Sequence, residues 1–149
     1  MADPLLVHSD LETFLVDWYR TKLAALATAG ETSVAGFEVD RVEPSDDSPF
    51  PEWLLVIRDD SGPAELLTAE RALGFSVLGG NQLDPSRAKR ACAIVLGLLW
   101  TIPAPDGGEV PRNPITSVEG TNGPYLVAEE QDRARAYGTG TVTVTPEAL

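Results

Sequence analysis

Four groups of residues in this chain have types and spacings that could do chemistry. His8, Ser9 and Asp10 stand in a row and supply the residue types of a Ser-His-Asp hydrolase. Such a triad needs three side chains converging from separate parts of a fold, whereas neighbours in a row point in different directions. His8 therefore reads as a surface residue. Cys92 is the sole cysteine and lies between Ala91 and Ala93 in an apolar run. A thiol there behaves as a small buried hydrophobe with a raised pKa, not as a nucleophile. The pairs Asp46-Asp47 and Glu129-Glu130 could act as acid and base or ligate a hard cation. Neither has the alternating spacing of a calcium loop, so both read as solvated loop. Gly74, Gly79-Gly80 and Gly107-Gly108 belong to no phosphate-binding string. No catalytic residue, cofactor or metal site is expected.

Composition narrows the classes further. The chain has 149 residues, 43% hydrophobic and 23% charged, as in a globular protein of one domain spanning 1–149. One cysteine excludes an internal disulfide, and one histidine excludes a His-rich metal site. The net charge of −12 argues against a binder of nucleic acid or anionic membrane, because counterion release needs clustered cations. Met-Ala-Asp-Pro-Leu-Leu lacks the basic region of a signal peptide. The longest apolar stretch, Ala91–Ile102, is 12 residues and too short to span a bilayer. The expectation is a soluble acidic protein of a reducing compartment. Its acidity is uneven, since residues 31 to 65 hold ten acids against two bases.

The elements that must position any site follow from periodicity. A helix is expected from about Leu11 to Ala29, opened by Ser9 and Glu12 at capping-box spacing and stopped by Gly30. Leu11, Phe14, Leu15, Trp18, Ala25 and Leu26 share one face, with Lys22 in its middle. Lys22 reads as a snorkelling side chain, the sharper alternative being a carboxylate partner on a neighbouring molecule. A second helix is capped by Asp84, has Pro85 at its first position and ends before Pro103. Its stretch ACAIVLGLLWTI is apolar on every side, so it needs cover on every side. That cover is either the first helix or another subunit.

Strands are expected at Trp53–Asp59, apolar on both faces and central, and at Ala72–Leu78. Others are Ile115–Thr121 and Tyr125–Ala128, separated by a turn at Asn122-Gly123-Pro124, then Arg133–Thr145, with a short one at Phe37–Val39. Loops fall near 43–52 and 103–114. The order gives an α+β two-layer sandwich: a mainly antiparallel sheet of four to five strands, with two main helices packed on one face.

This order of elements is carried by Pro49-Phe50-Pro51, by Trp53–Arg58 with Gly62, and by Glu70-Arg71-Ala72. Asp84–Ile102 and Asn122-Gly123-Pro124-Tyr125 complete it. Over roughly residues 9 to 145 it resembles the tail terminator proteins of long-tailed (siphovirus-type) bacteriophages, particularly those infecting actinobacteria. The resemblance implies a structural virion protein at the head–tail junction, assembled in the host cytoplasm. It implies a homohexameric ring that caps the tail tube, stops its polymerisation and docks the head-completion (stopper) protein. The major tail tube protein and the tape-measure protein are further expected partners, and DNA passes non-specifically through the lumen. Neither a membrane nor a catalytic residue belongs to the pattern.

Three features of the sequence agree. Surplus apolar helix surface suits subunit contacts, a long last strand could pair with a neighbour's edge, and acidity suits a channel through which DNA slides. The interface candidates are Trp18, Lys22, Ile94, Leu98, Trp100, Tyr137, Thr139 and Thr141. The alternatives are a stopper protein on a similar fold and a small cytoplasmic binding module with a pocket between helices and sheet.

Overall fold

The computed structural model describes residues 5–8, 10–45, 50–103, 113–128 and 132–148. Asp10 opens the first helix, α1 (Leu11–Thr28), by accepting the Thr13 amide at 3.3 Å and the Thr13 hydroxyl at 2.8 Å. The cap that the structure shows is Asp10, one residue after the expected Ser9. Ser9 lies outside the described residues, and the Glu12 carboxylate instead accepts the Asp59 amide at 2.9 Å. Gly30, with φ +111°, turns the chain out of the helix as expected. A short 3₁₀ turn, Thr32–Val34, follows.

The buried stripe of α1 is Leu11, Leu15, Tyr19 and Leu23, with Phe14, Trp18 and Leu26 half-buried beside it. Lys22 and Ala25 are exposed, so the expected face is corrected by a rotation toward Tyr19. The physical reason is the amphipathic nature of tyrosine. Its ring packs edge-on against Phe75 with centroids 5.6 Å apart, while its hydroxyl donates to the Val95 carbonyl at 2.7 Å.

The strands are β1 (Leu6–Val7), β2 (Glu38–Asp40), β3 (Trp53–Asp59), β4 (Ala69–Gly79), β5 (Ile115–Val127), β6 (Ala134–Val144) and β7 (Glu147–Ala148). Five of them form a mixed sheet in the order β2-β3-β4-β6-β5, in which only the β2–β3 pair is parallel. A separate antiparallel pair joins β1 to β7. The two helices pack against the five-stranded sheet, giving the α+β two-layer arrangement expected from the sequence. β3 is interior, and its alternate residues serve two clusters. Trp53, Leu55 and Ile57 face the helices, while Leu54 and Val56 join Leu78 under Phe50 on the opposite face.

Two strand expectations are corrected. The Asn122-Gly123-Pro124 segment is not a turn between strands, because β5 runs through it and pairs with β6 on both sides, Asn122 with Thr139 and Tyr125 with Tyr137. Three β5 steps there span two β6 steps, and two more register shifts lie nearer Ile115. Nor does the last strand project to meet a neighbour's edge. β6 is enclosed by β4 along its whole length on one side and by β5 on the other. Its backbone has no free row to offer.

The second helix, α2 (Ser86–Leu99), begins one residue later than expected. Pro85 is its cap residue, and the Asp84 carboxylate accepts the Ser86 amide at 3.4 Å. Where α2 crosses β6, an added Cβ at Gly138 would stand 2.7 Å from Leu96 Cδ1 and 3.1 Å from its Cγ. The missing side chain is what lets the helix lie close. Gly138→Ala is expected to destabilise the protein by about 1–3 kcal/mol through overpacking. Gly97→Ala, with nothing within 4 Å of its Cβ, is expected to stabilise by about 0.5–1 kcal/mol. Urea unfolding of the two variants checks this, and equal midpoints would contradict it.

Candidate functional site

The residue types considered for chemistry are not brought together. Cys92 is fully buried in α2, and burial pushes its thiol up to about 12. His8 stands half-buried beside β1, and its Nδ1 has no hydrogen-bond partner among the described residues. Ser9, Asp46-Asp47, Gly107-Gly108 and Glu129-Glu130 lie outside the described residues. Among the described residues no group of three His, Cys, Asp or Glu side chains could hold a metal ion. No helix there is long and apolar enough to cross a membrane.

Surfaces therefore become the candidate site. Of the eight interface candidates, Trp18 is half-buried and meets Tyr19 edge-on with centroids 5.0 Å apart. The exposed Lys22 ammonium lies 5.5 Å from the Trp18 ring centre, a cation–π contact within the chain. Ile94 and Leu98 are half-buried and pack on the core. The Tyr19–Val95 bond ties α1 to α2, and both helices contribute to one shared core. Trp100 is the exception. It is 52% exposed at the C-terminal end of α2, its indole donating to Thr121 Oγ1 at 3.3 Å. Tyr137, Thr139 and Thr141 alternate with the buried Ala136, Gly138, Gly140 and Val142, so they lie on the sheet face away from the helices. These eight residues thus form no single patch.

Sequence reasoning missed the most exposed apolar groups. Leu66 and Leu67, 76% and 65% exposed, occupy the two central positions of a turn closed by the Glu65 amide on the Thr68 carbonyl at 2.7 Å. Turn centres ordinarily hold Gly, Pro, Asn, Asp or Ser. A Leu-Leu pair just after Ser61-Gly62-Pro63 was the available signal. Tyr125, Leu126 and Val127 are exposed at the end of β5, and Leu83 is exposed before α2.

Electrostatics bind the acidic segment to the rest. Arg133 and Arg135 both donate to the Glu43 carboxylate, and the Arg133 guanidinium lies 4.1 Å from the Phe50 ring centre. Arg87 stacks on Trp53 at 4.3 Å while donating to the Ser33 and Ala35 carbonyls. The Arg90 fork holds Glu31 at 2.6 and 3.2 Å, and Ser33 adds a hydroxyl donor at 2.6 Å. Arg90 first, then Ser33, lowers the Glu31 carboxyl from 4.5 to about 2. No family model matches this chain, and no curated protein matches it.

A carboxyl lowered on folding stabilises the protein above its unfolded value, and that stabilisation is lost as pH falls through the folded value. Glu31→Gln is expected to melt below the unmodified protein at neutral pH. The gap should begin to close below about 4.5 and vanish near pH 2. Thermal melts across that range check it, and a gap unchanged at pH 2 contradicts it. Trp100→Asp, at a half-exposed site, is expected to fold. Circular dichroism showing an unfolded variant would place the indole in the essential core instead.

Proposed function

We propose that this chain is a tail terminator subunit of a long-tailed bacteriophage. Six copies form a ring on the head-proximal end of the tail tube, stop its growth and receive the head-completion protein. DNA crosses the lumen. The observation that carries the proposal is the placement of exposed apolar side chains on a fold whose own core is filled. Leu66, Leu67, Trp100, Leu126 and Val127 are large, exposed and spread over separate edges of the subunit. In a ring these side chains would be available for burial against neighbouring copies. The element order supports the proposal through its resemblance to the family.

Acidity fits the same role. Glu38 and Asp40 are exposed along the β2 edge, in a chain of net charge −12. Negative surface repels the duplex within a Debye length of ~8 Å at physiological salt, so DNA can slide without sticking.

Deleting the protein from its phage separates this role from its neighbours. The expected result in a mutant lysate is tails of irregular, excessive length without heads, seen by negative-stain microscopy. Tails of normal length lying beside unjoined filled heads would reassign the chain to the stopper position. Joined, infectious particles would remove it from the head–tail junction.

A further inference from the structure

We propose that Asn122 is a site of spontaneous covalent modification, where the folded chain converts its own carboxamide into a carboxylate. The product carries one more negative charge, placed on the sheet face away from the helices. The inference is independent of the role proposed above.

Asparagine is among the chemically labile residues, because its carboxamide carbon lies within reach of the next backbone nitrogen. The chain has three asparagines, and the structure separates them. The Asn81 side-chain oxygen accepts the Leu83 and Asp84 amides, each at 3.0 Å, and the next residue is Gln82. Asn113 is held at both ends of its carboxamide. Its Nδ2 donates to the Ile102 carbonyl at 2.8 Å, and its Oδ1 accepts the Ile115 amide at 2.9 Å. Pro114 follows it, and a proline nitrogen carries no hydrogen to give up. Asn122 differs on every count. It is exposed, and its carboxamide makes no hydrogen bond among the described residues. The next residue, Gly123, is also exposed and has no side chain to shield its nitrogen.

The fold itself keeps that neighbour a glycine. Gly123 has φ +112°, and an added Cβ would stand 2.8 Å from the Tyr137 carbonyl oxygen and 3.0 Å from Gly138 Cα. Pairing is interrupted at the same place. Asn122 pairs with Thr139 and the next pair is Tyr125 with Tyr137, so Gly123 and Pro124 fall inside a register shift. β5 is an outer strand, with no strand on its other side among the described residues. Neither a side chain nor a regular ladder therefore holds the Asn122 carboxamide away from the Gly123 nitrogen.

The reaction needs only water. The Gly123 nitrogen attacks Asn122 Cγ, an N–Cγ bond forms, the Cγ–Nδ2 bond breaks, and ammonia leaves with the proton that the backbone nitrogen gives up. Water then opens the resulting five-membered imide at one of its two carbonyls. One opening gives aspartate. The other gives isoaspartate, in which the chain runs through Cγ and gains a methylene. No group is oxidised or reduced. The extra backbone length of isoaspartate falls within the register shift, where two unpaired residues already separate the flanking pairs. The new carboxylate lies on the side of Thr139, since paired residues of antiparallel strands point to one face.

Heavy-oxygen labelling tests the site. Native protein and a guanidinium-unfolded sample are kept in mildly alkaline buffer made with heavy-oxygen water, and fragment-ion spectra of their peptides are compared. The native sample is expected to lose ammonia and gain a heavy oxygen at Asn122, with Asn81 and Asn113 unchanged. Isoelectric focusing of the same sample is expected to show a growing, more acidic band that Asn122→Gln loses. An isoaspartyl methyltransferase is expected to label the native product. A native sample that keeps its Asn122 carboxamide overturns the inference, whether or not the unfolded chain loses it. Equal conversion at Asn81 or Asn113 in the native protein overturns it as well.

Discussion

Gly138 and Gly140 leave two gaps on the inner face of β6, and Leu96 and Leu99 of α2 fill them. A side chain at Gly138 would press on Leu96, the neighbour of Val95, whose carbonyl receives the Tyr19 hydroxyl. The two helices are therefore held by one geometric condition. α2 descends onto glycine, α1 is tied to α2 through a buried hydrogen bond, and Phe75 completes the packing from the sheet. Close packing of this kind tolerates little added volume. On α2 the exposed side runs through Lys89, Arg90, Ala93 and Gly97 to Trp100, while Ala88, Ala91, Cys92, Val95, Leu96 and Leu99 are buried.

The electrostatic design follows from scarcity. Eleven cations face twenty-three acids, and most of the arginines act as straps inside the chain. Arg20 reaches the Val39 carbonyl, Arg87 the carbonyls of Ser33 and Ala35, and Arg90 the Glu31 carboxylate. Arg133 and Arg135 hold Glu43. These bonds draw the acidic segment against the first turns of α2 and the start of β6. Because acids outnumber cations by twelve, the field of the subunit is dominated by carboxylates.

Continuous apolar runs made β3 and α2 legible in the sequence, since a strand or helix apolar on all sides has few alternative placements. The face of α1 was legible only in part. Tyr19 carries a polar atom that hid an apolar ring, and only the Val95 carbonyl, 76 residues away, reveals it as core. β5 was misread because Asn-Gly-Pro has strong turn chemistry, which pairing with β6 overrides. The eight interface candidates came from helix and strand periodicity, which reports burial within a chain and not contact between chains. Leu66 and Leu67 left no periodic trace at all. Their exposure depends on the hairpin beneath them, which is a tertiary fact.

β5, one of the two outer strands of the sheet, carries one more consequence. Its three register shifts against β6 interrupt the regular spacing of amide and carbonyl groups along the margin that faces solvent. A margin so bent is a poor template for a foreign strand. Along this margin the addition of a foreign strand is disfavoured, and contact there is left to side chains, which can be specific.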